Sequence, residues 1–221
     1  MVKLAAIARS LPELEEVFII NTRFGAPPDF RSLKSLTVLR LIDTNITVFP
    51  PLPQSLKVLD LQEEENIGWS LPHITASPLP NLETLWVSGH TTIENAYLLA
   101  ILAPSLEKDC LRSLNIDLCP RLDFHSLAWL VKRGENLEQL SIRRNITVTD
   151  ETLKEITKFK KLRILDMQAC PFISAIGLTH VLNGSPGALR RVYISQDYIS
   201  DTDKAQLAAK SGVRIMDNCV W

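Results

Sequence analysis

The chain has 221 residues, 46% of them hydrophobic and 22% charged, with a formal net charge of −1 at pH 7. That is ample apolar material for one continuous core, and a balance that exerts no bulk pull toward nucleic acid or a membrane surface. No run of about 18 apolar residues is present, which excludes a membrane-spanning helix, and Met1 to Ala8 is too short and too quickly polar for a secretory signal.

In chain order, Val2 to Arg9 reads as a short helix with Leu4, Ile7 and Ala8 on one face. A pattern of apolar residues then recurs. It begins as Leu14-x-x-Val17-x-Ile19, Leu36-x-x-Leu39-x-Leu41, Leu56-x-x-Leu59-x-Leu61 and Leu82-x-x-Leu85-x-Val87. It continues as Leu111-x-x-Leu114-x-Ile116, Leu137-x-x-Leu140-x-Ile142, Leu162-x-x-Leu165-x-Met167 and Leu189-x-x-Val192-x-Ile194. A truncated ninth copy, Val213-x-Ile215-x-x-Asn218, ends the chain. Successive first residues lie 22, 20, 26, 29, 26, 25 and 27 positions apart. The two-residue step within each copy places both side chains on one side of a short strand, and the flanking three-residue steps are turns that feed the same core.

Segments between the strands change character along the chain. Gly25-Ala26-Pro27-Pro28 precludes regular helix, and Pro50, Pro51 and Pro53 make the second return extended. The third return, Glu63 to Pro80, carries Glu63, Glu64, Glu65, Pro72, Pro78 and Pro80 and reads as a loop. Beyond Thr91, helices are expected over Ile93 to Ala103 (ending at Pro104), over Phe124 to Val131, from an N-cap at Asp150, over Ala175 to Leu182, and from Ser200 with Asp203 completing the start.

This pattern resembles the leucine-rich repeat. The resemblance implies an α/β solenoid, a horseshoe with a parallel concave β-sheet. About nine repeats are expected, with helices on the convex side mainly in the C-terminal half. One domain is expected over 1–221, with short proline-rich repeats over 1–90 and longer helix-containing repeats over 91–221. Cys119 and Cys170 fall at the ninth repeat position as packing residues, and Cys110 and Cys219 form no evident pair with them. This points to a reducing compartment, cytoplasm or nucleus. Two sequons, Asn45-Ile46-Thr47 and Asn145-Ile146-Thr147, point weakly the other way. Asn145 itself occupies a ninth position, where its amide would bond loop backbone.

The C-terminal copies are more specific. Cys119-x-x-Leu122, Val148-Thr149-Asp150-x-x-Leu153 and Cys170-Pro171-x-Ile173 with Gly177-Leu178 resemble the cysteine-containing repeats of F-box proteins, over about residues 105–202. That resemblance implies substrate selection for a cullin-based ubiquitin ligase. The ligase machinery would be reached through a region outside this chain, since no F-box is present in it. A scaffold subunit of a larger intracellular assembly is the alternative. A regulator of a nucleotide-dependent switch is a second, and would need a catalytic arginine and a longer, more uniform period than this.

No catalytic residue, metal site or cofactor is expected. His73, His90, His125 and His180 are scattered, no paired cysteines have metal spacing, and neither a phosphate loop nor a nucleophile elbow occurs. Binding of a protein partner remains, and alternation along each strand indicates where. With the fourth and sixth residues in the core, the third, fifth and seventh project from the concave face. The expected contact residues are Phe18, Ile20, Arg40, Ile42, Asp60, Trp86, Asp117, Arg143, Asp166, Tyr193 and Arg214. Phe18, Ile20, Val38 and Ile42 would form an apolar patch, and aromatic and arginine side chains are the usual anchors of interfaces. Other readings stay open. Trp86 packs against its strand neighbours, Arg143 and Arg144 pair with Asp117 and Asp166, and an upstream segment covers the Phe18 patch.

Overall fold

A computed structural model describes residues 10–62, 67–184, 187–195 and 199–216, without the side chains of 124–127. The expected helix at Val2 to Arg9, the Glu63–Glu65 run, Cys219 and Trp221 lie outside the described residues. The chain divides into two compact units, Met1–Leu111 and Arg112–Trp221.

The first unit carries parallel strands β1 (Glu16–Ile20), β2 (Val38–Ile42), β3 (Val58–Asp60) and β4 (Thr84–Trp86), paired in sequence order. The second carries β5 (Ser113–Asn115), β6 (Gln139–Ser141), β7 (Ile164–Asp166), β8 (Arg191–Tyr193) and β9 (Arg214–Met216), also parallel and in order. Register is uniform: the fourth residue of each copy faces the fourth of the next, as in Leu39–Leu59–Leu85 and Leu140–Leu165–Val192. The repeat leucines make the core. Leu36, Leu39, Leu41, Leu56, Leu59, Leu61, Leu82, Leu85 and Val87 are all 0% exposed. Leu14, Val17 and Ile19 of the first copy are only half-buried; among the described residues β1 has one strand neighbour, β2. This is the leucine-rich-repeat fold.

The turn after each strand has its own chemistry. A left-handed backbone recurs at the eighth position, in Asn21, Asp43, Gly89, Leu118, Arg144 and Ala169. It swings the ninth side chain back beneath the strand of the preceding copy. There Asn145 Nδ2 donates to Ile116 O (2.8 Å) and Ile142 O (3.1 Å), while its Oδ1 accepts from the Cys119 N–H (2.8 Å). Cys170 Sγ donates to Ile142 O at 3.1 Å, and burial pushes its thiol up to about 12. His90, also ninth in its copy, does the same with Nε2 to Leu61 O (2.7 Å), which fixes the Nε2–H tautomer. All three satisfy a backbone carbonyl that the end of the strand would otherwise bury unpaired.

Helices fill several returns: α1 (Leu71–Thr75) and α2 (Asn95–Glu107) in the first unit, then α3 (Phe124–Arg133), α4 (Asp150–Ile156), α5 (Ala175–Gly184) and α6 (Asp201–Ser211) in the second. Four expectations need correction. The third return is not wholly loop, because Pro72 sits at the start of α1, where its missing N–H costs nothing. The helix expected to stop at Pro104 runs through it to Glu107. Thr149, not Asp150, is the N-cap of α4, its N–H donating to Thr152 Oγ1 (3.2 Å). Asp150 reaches into the following repeat and accepts from Ser174 N (2.9 Å) and Ser174 Oγ (2.6 Å). That carboxylate explains Gly177 in α5, where a Cβ would come within 2.1 Å of Asp150 Oδ1.

The fourth correction concerns the ninth copy. Arg214 pairs with Arg191 and Met216 with Tyr193, so Arg214 holds the third position and Met216 the fifth. The spacing Val213-x-Ile215-x-x-Asn218 implies Arg214 at the fifth position and Met216 at the seventh, two residues from where the strand pairing puts them. An even slip keeps each side chain on its face, which is why the alternation gave no warning. The cap of α6 is as expected: Ser200 Oγ accepts from Asp203 N (3.1 Å) and Gly212 ends the helix at φ 69°.

Candidate functional site

The residues expected to meet a partner fall into two groups. In the first unit, Phe18 is 51% and Ile20 58% exposed, and Ile42 and Trp86 are half-buried beside them. The fifth-position ladder runs Phe18, Arg40, Asp60, Trp86 by strand register. The Arg40 guanidinium lies between two rings, 5.3 Å from the Phe18 centroid and 5.2 Å from that of Trp86. Each cation–π contact contributes about 0.5–2 kcal/mol, more as water is excluded. Together they hold a long, flexible side chain in one orientation.

Asp60 lies beneath this layer, 1% exposed. It was expected on the surface, and its burial has a local cause. Its Oδ1 accepts from the N–H of Gln62, two residues on (3.1 Å). Asn115 does the same for Asp117 N (3.0 Å), and Asp166 for Gln168 N (3.1 Å). An Asp or Asn at the fifth position therefore closes an Asx turn where the three-residue strand ends. The recurrence of Asp60, Asn115 and Asp166 at one repeat position was the signal in the sequence.

The second unit presents a polar and largely closed face. Asn115, Asp117, Ser141, Asp166, Gln168 and Tyr193 are between 0% and 7% exposed. Asp117 Oδ1 accepts from Ser141 Oγ (2.5 Å) and from the Arg143 N–H (2.7 Å), and Arg143 Nε lies 3.9 Å from Asp166 Oδ2. Burial pushes the Asp117 carboxyl up to about 6, against the opposing pull of the Ser141 and Arg143 hydrogen bonds. The pairing reading is met in part: the Arg143 side chain approaches Asp166, its backbone N–H alone reaches Asp117, and Arg144 is exposed. Exposure at the surface, expected for Asp117, Asp166 and Tyr193, is corrected: these side chains belong to the packed interior of the strand layer. Arg143 is half-buried and Arg214 exposed.

Elsewhere the chemistry is structural. His90 is 0% exposed in a T-shaped contact with Trp69 (centroids 4.9 Å apart), and burial lowers its pKa. A cavity of about 450 Å³ among the returns of the first unit is lined by Arg31, Lys34, Leu52, Gln54, Ser55 and Ser77. Arg31 there is held by Asp29 (2.5 Å), and Ser77 Oγ accepts from Leu52 N (3.2 Å). Among the described residues, no group of three or more His, Cys, Asp or Glu side chains is placed to hold a metal ion. No helix among them is long and apolar enough to cross a membrane.

Fold and surface together define a leucine-rich-repeat protein with an exposed aromatic and arginine patch on the strands of its first unit. The chain is similar in structure to TLR13 in a TLR13–ssRNA13 complex, with a TM-score of 0.58 and 18% identity over 96% of this chain. It spans 30% of that chain's length. It also aligns with an internalin, inlF, from Listeria monocytogenes, at 13% identity and a TM-score of 0.45 over 100% of this chain and 90% of that one. No protein-family model and no curated protein sequence matches the chain.

Proposed function

We propose that this chain is a non-catalytic recognition module that binds a protein partner through the outward strand face of its first unit. One observation carries the reading: Phe18, Ile20, Arg40, Ile42 and Trp86 form an open apolar and cationic patch, whereas Asn115, Asp117, Ser141, Asp166, Gln168 and Tyr193 of the second unit are buried. Aromatic and arginine side chains with restricted rotamers are the residues that anchor interfaces, because little conformational entropy remains to be lost on binding. In the second unit Arg143 is half-buried and Arg214 exposed, and both stay candidate contacts.

The setting we propose is substrate selection for a cullin-based ubiquitin ligase, in cytoplasm or nucleus. It is supported by the resemblance of the repeats around Cys119, Asp150 and Cys170 to those of F-box proteins. It is also supported by cysteines that are packed as thiols: Cys119 and Cys170 are buried and form no disulfide. Asn145, the acceptor of one sequon, has its amide nitrogen engaged with Ile116 O and Ile142 O at 3% exposure, which weighs against glycosylation there.

Crosslinking mass spectrometry in lysate tests the reading. A photoreactive residue at Ile42 is expected to capture a partner that Trp86→Ala and Arg40→Glu release. If the captured set is unchanged by both substitutions, the strand face is not the contact surface. If it depends on them but holds no cullin or adaptor subunit when the full-length gene product is used, the ligase setting fails and a scaffold role takes its place.

A further inference from the structure

We infer that the Phe18–Arg40–Trp86 cluster reads one carboxylate on its partner: an aspartate or glutamate side chain set among apolar residues in an extended segment. The inference rests on the strand face being the recognition surface and specifies what that surface selects.

The cluster carries donors that no described residue satisfies. Arg40 makes no hydrogen bond or ion pair to any described residue; its contacts are the faces of the Phe18 and Trp86 rings. Its Nε is buried without an acceptor, and so is the Nε1–H of Trp86 in the same cluster. The nearby carboxylate, Asp60, is buried and closes its own turn through Gln62 N. With its Nε buried, the guanidinium between the two rings still offers its terminal N–H groups, and these can meet a carboxylate. The rings on either side exclude water and lower the local dielectric, so a charge-assisted hydrogen bond gains strength there.

The frame decides what carries the carboxylate. Ile20, Ile42 and the exposed half of Phe18 surround the cation with apolar surface, which fits apolar neighbours on both sides of the acid. Glu13, Glu15 and Glu16 are exposed at the adjoining strand, and residues 1–100 hold 7 Lys/Arg against 11 Asp/Glu. A run of acids or a phosphate backbone would meet that repulsion at every charge. A single acid, set over Arg40, meets one partner and little else. An extended peptide laid across parallel strands also meets β1 to β4 at their regular spacing, with the side chains of Phe18, Arg40 and Trp86 in one row.

The probes are capped, fluorescein-labelled heptapeptide pools, with a fixed central Glu or Gln and randomised Val, Leu, Ile, Phe and Ser on both sides. Binding to the full chain is read by anisotropy at low salt. The Glu pool is expected to bind at least about tenfold more tightly than the Gln pool, the selectivity of a charge-assisted over a neutral hydrogen bond. Arg40→Met, which keeps the stem between the rings, should erase that difference and leave the Gln pool unaffected. Arg40→Lys should restore only part of it, because an ammonium lacks the planar fork. Thermal melts of both variants establish that the fold is retained. Equal binding of the two pools to the wild-type chain overturns the inference and leaves an apolar recognition surface standing. Binding of neither pool overturns it as well, and lysate crosslinks indifferent to Trp86→Ala would then remove the recognition reading too. Tighter, Arg40-dependent binding of an oligo-dT control reassigns the cluster to nucleic acid. Self-association of the chain lost with Phe18→Ser reassigns it to a second copy.

Discussion

Replacing His90 by alanine should cost about 2–4 kcal/mol, and replacing it by asparagine roughly half of that. The figure comes from two contacts. Without the imidazole, Leu61 O is left buried without its donor, which costs about 1–3 kcal/mol. The edge contact with Trp69, at 4.9 Å between centroids, contributes about 0.5–1.5 kcal/mol more. Asparagine occupies the same repeat position in Asn145 and there reaches the same kind of carbonyl, so His90→Asn should keep the hydrogen bond and lose only the ring contact. The two variants also separate in their pH dependence. Burial lowers the pKa of His90 below its ordinary 6.5. The folded state therefore disfavours a proton that the unfolded chain accepts. The contribution is fully present above pH 6.5 and is lost as pH falls, by up to about 1.4 kcal/mol per pH unit. Urea unfolding at pH 8, 7, 6 and 5 measures both effects. Wild type minus His90→Asn should show the acid-side slope. A His90→Ala cost under about 0.5 kcal/mol, or identical slopes in wild type and His90→Asn, would refute the structural role given to this histidine.

Other consequences can be checked the same way. Asn145→Ala removes donors from Ile116 O and Ile142 O and an acceptor from Cys119 N, and should cost about 2–4 kcal/mol in urea unfolding. Gly177→Ala drives a Cβ against Asp150 Oδ1 and should cost about 1–3 kcal/mol; adding Asp150→Ala should recover part of it in a double-mutant cycle. The Asp117 carboxyl, raised from 3.8 to about 6, works in the opposite sense to His90: its folded state favours the proton, so its contribution is present below pH 3.8 and lost as pH rises through 6. Asp117→Asn should therefore raise stability at pH 7 relative to pH 5, an effect visible as a flattened pH profile of the melting temperature.

The fold was legible because the repeat leucines are its energetic content: each lies in a position where a polar side chain would be buried without a partner. Helix limits were harder. Its fixed φ and missing N–H make proline suggest a terminator at Pro104 and a loop around Pro72. The first lies inside α2 and the second at a position where α1 needs no N–H. Alternation named the outward face but carried no depth, and strands of three residues bring the fifth residue into the following turn. Asp60 and Asp166 are for this reason buried turn residues, although their place in the ladder suggests surface. The Arg40 sandwich depends on two rings that are 68 residues apart in the chain, Phe18 and Trp86, and only the register of four strands brings them together. His90 was within reach of the sequence. Counting nine from Leu82 places it where Asn145 and Cys170 stand, and the variety of residue types at that position hid the common task.

The most direct test of the central claim is hydrogen exchange, read by mass spectrometry, on the chain with a captured partner. The account predicts protection concentrated in Glu16–Ile20, Val38–Ile42 and Thr84–Trp86, with Gln139–Ser141 and Ile164–Asp166 unchanged from the free chain. Protection confined to the second unit, or to the return segments with the first four strands unaffected, would contradict it.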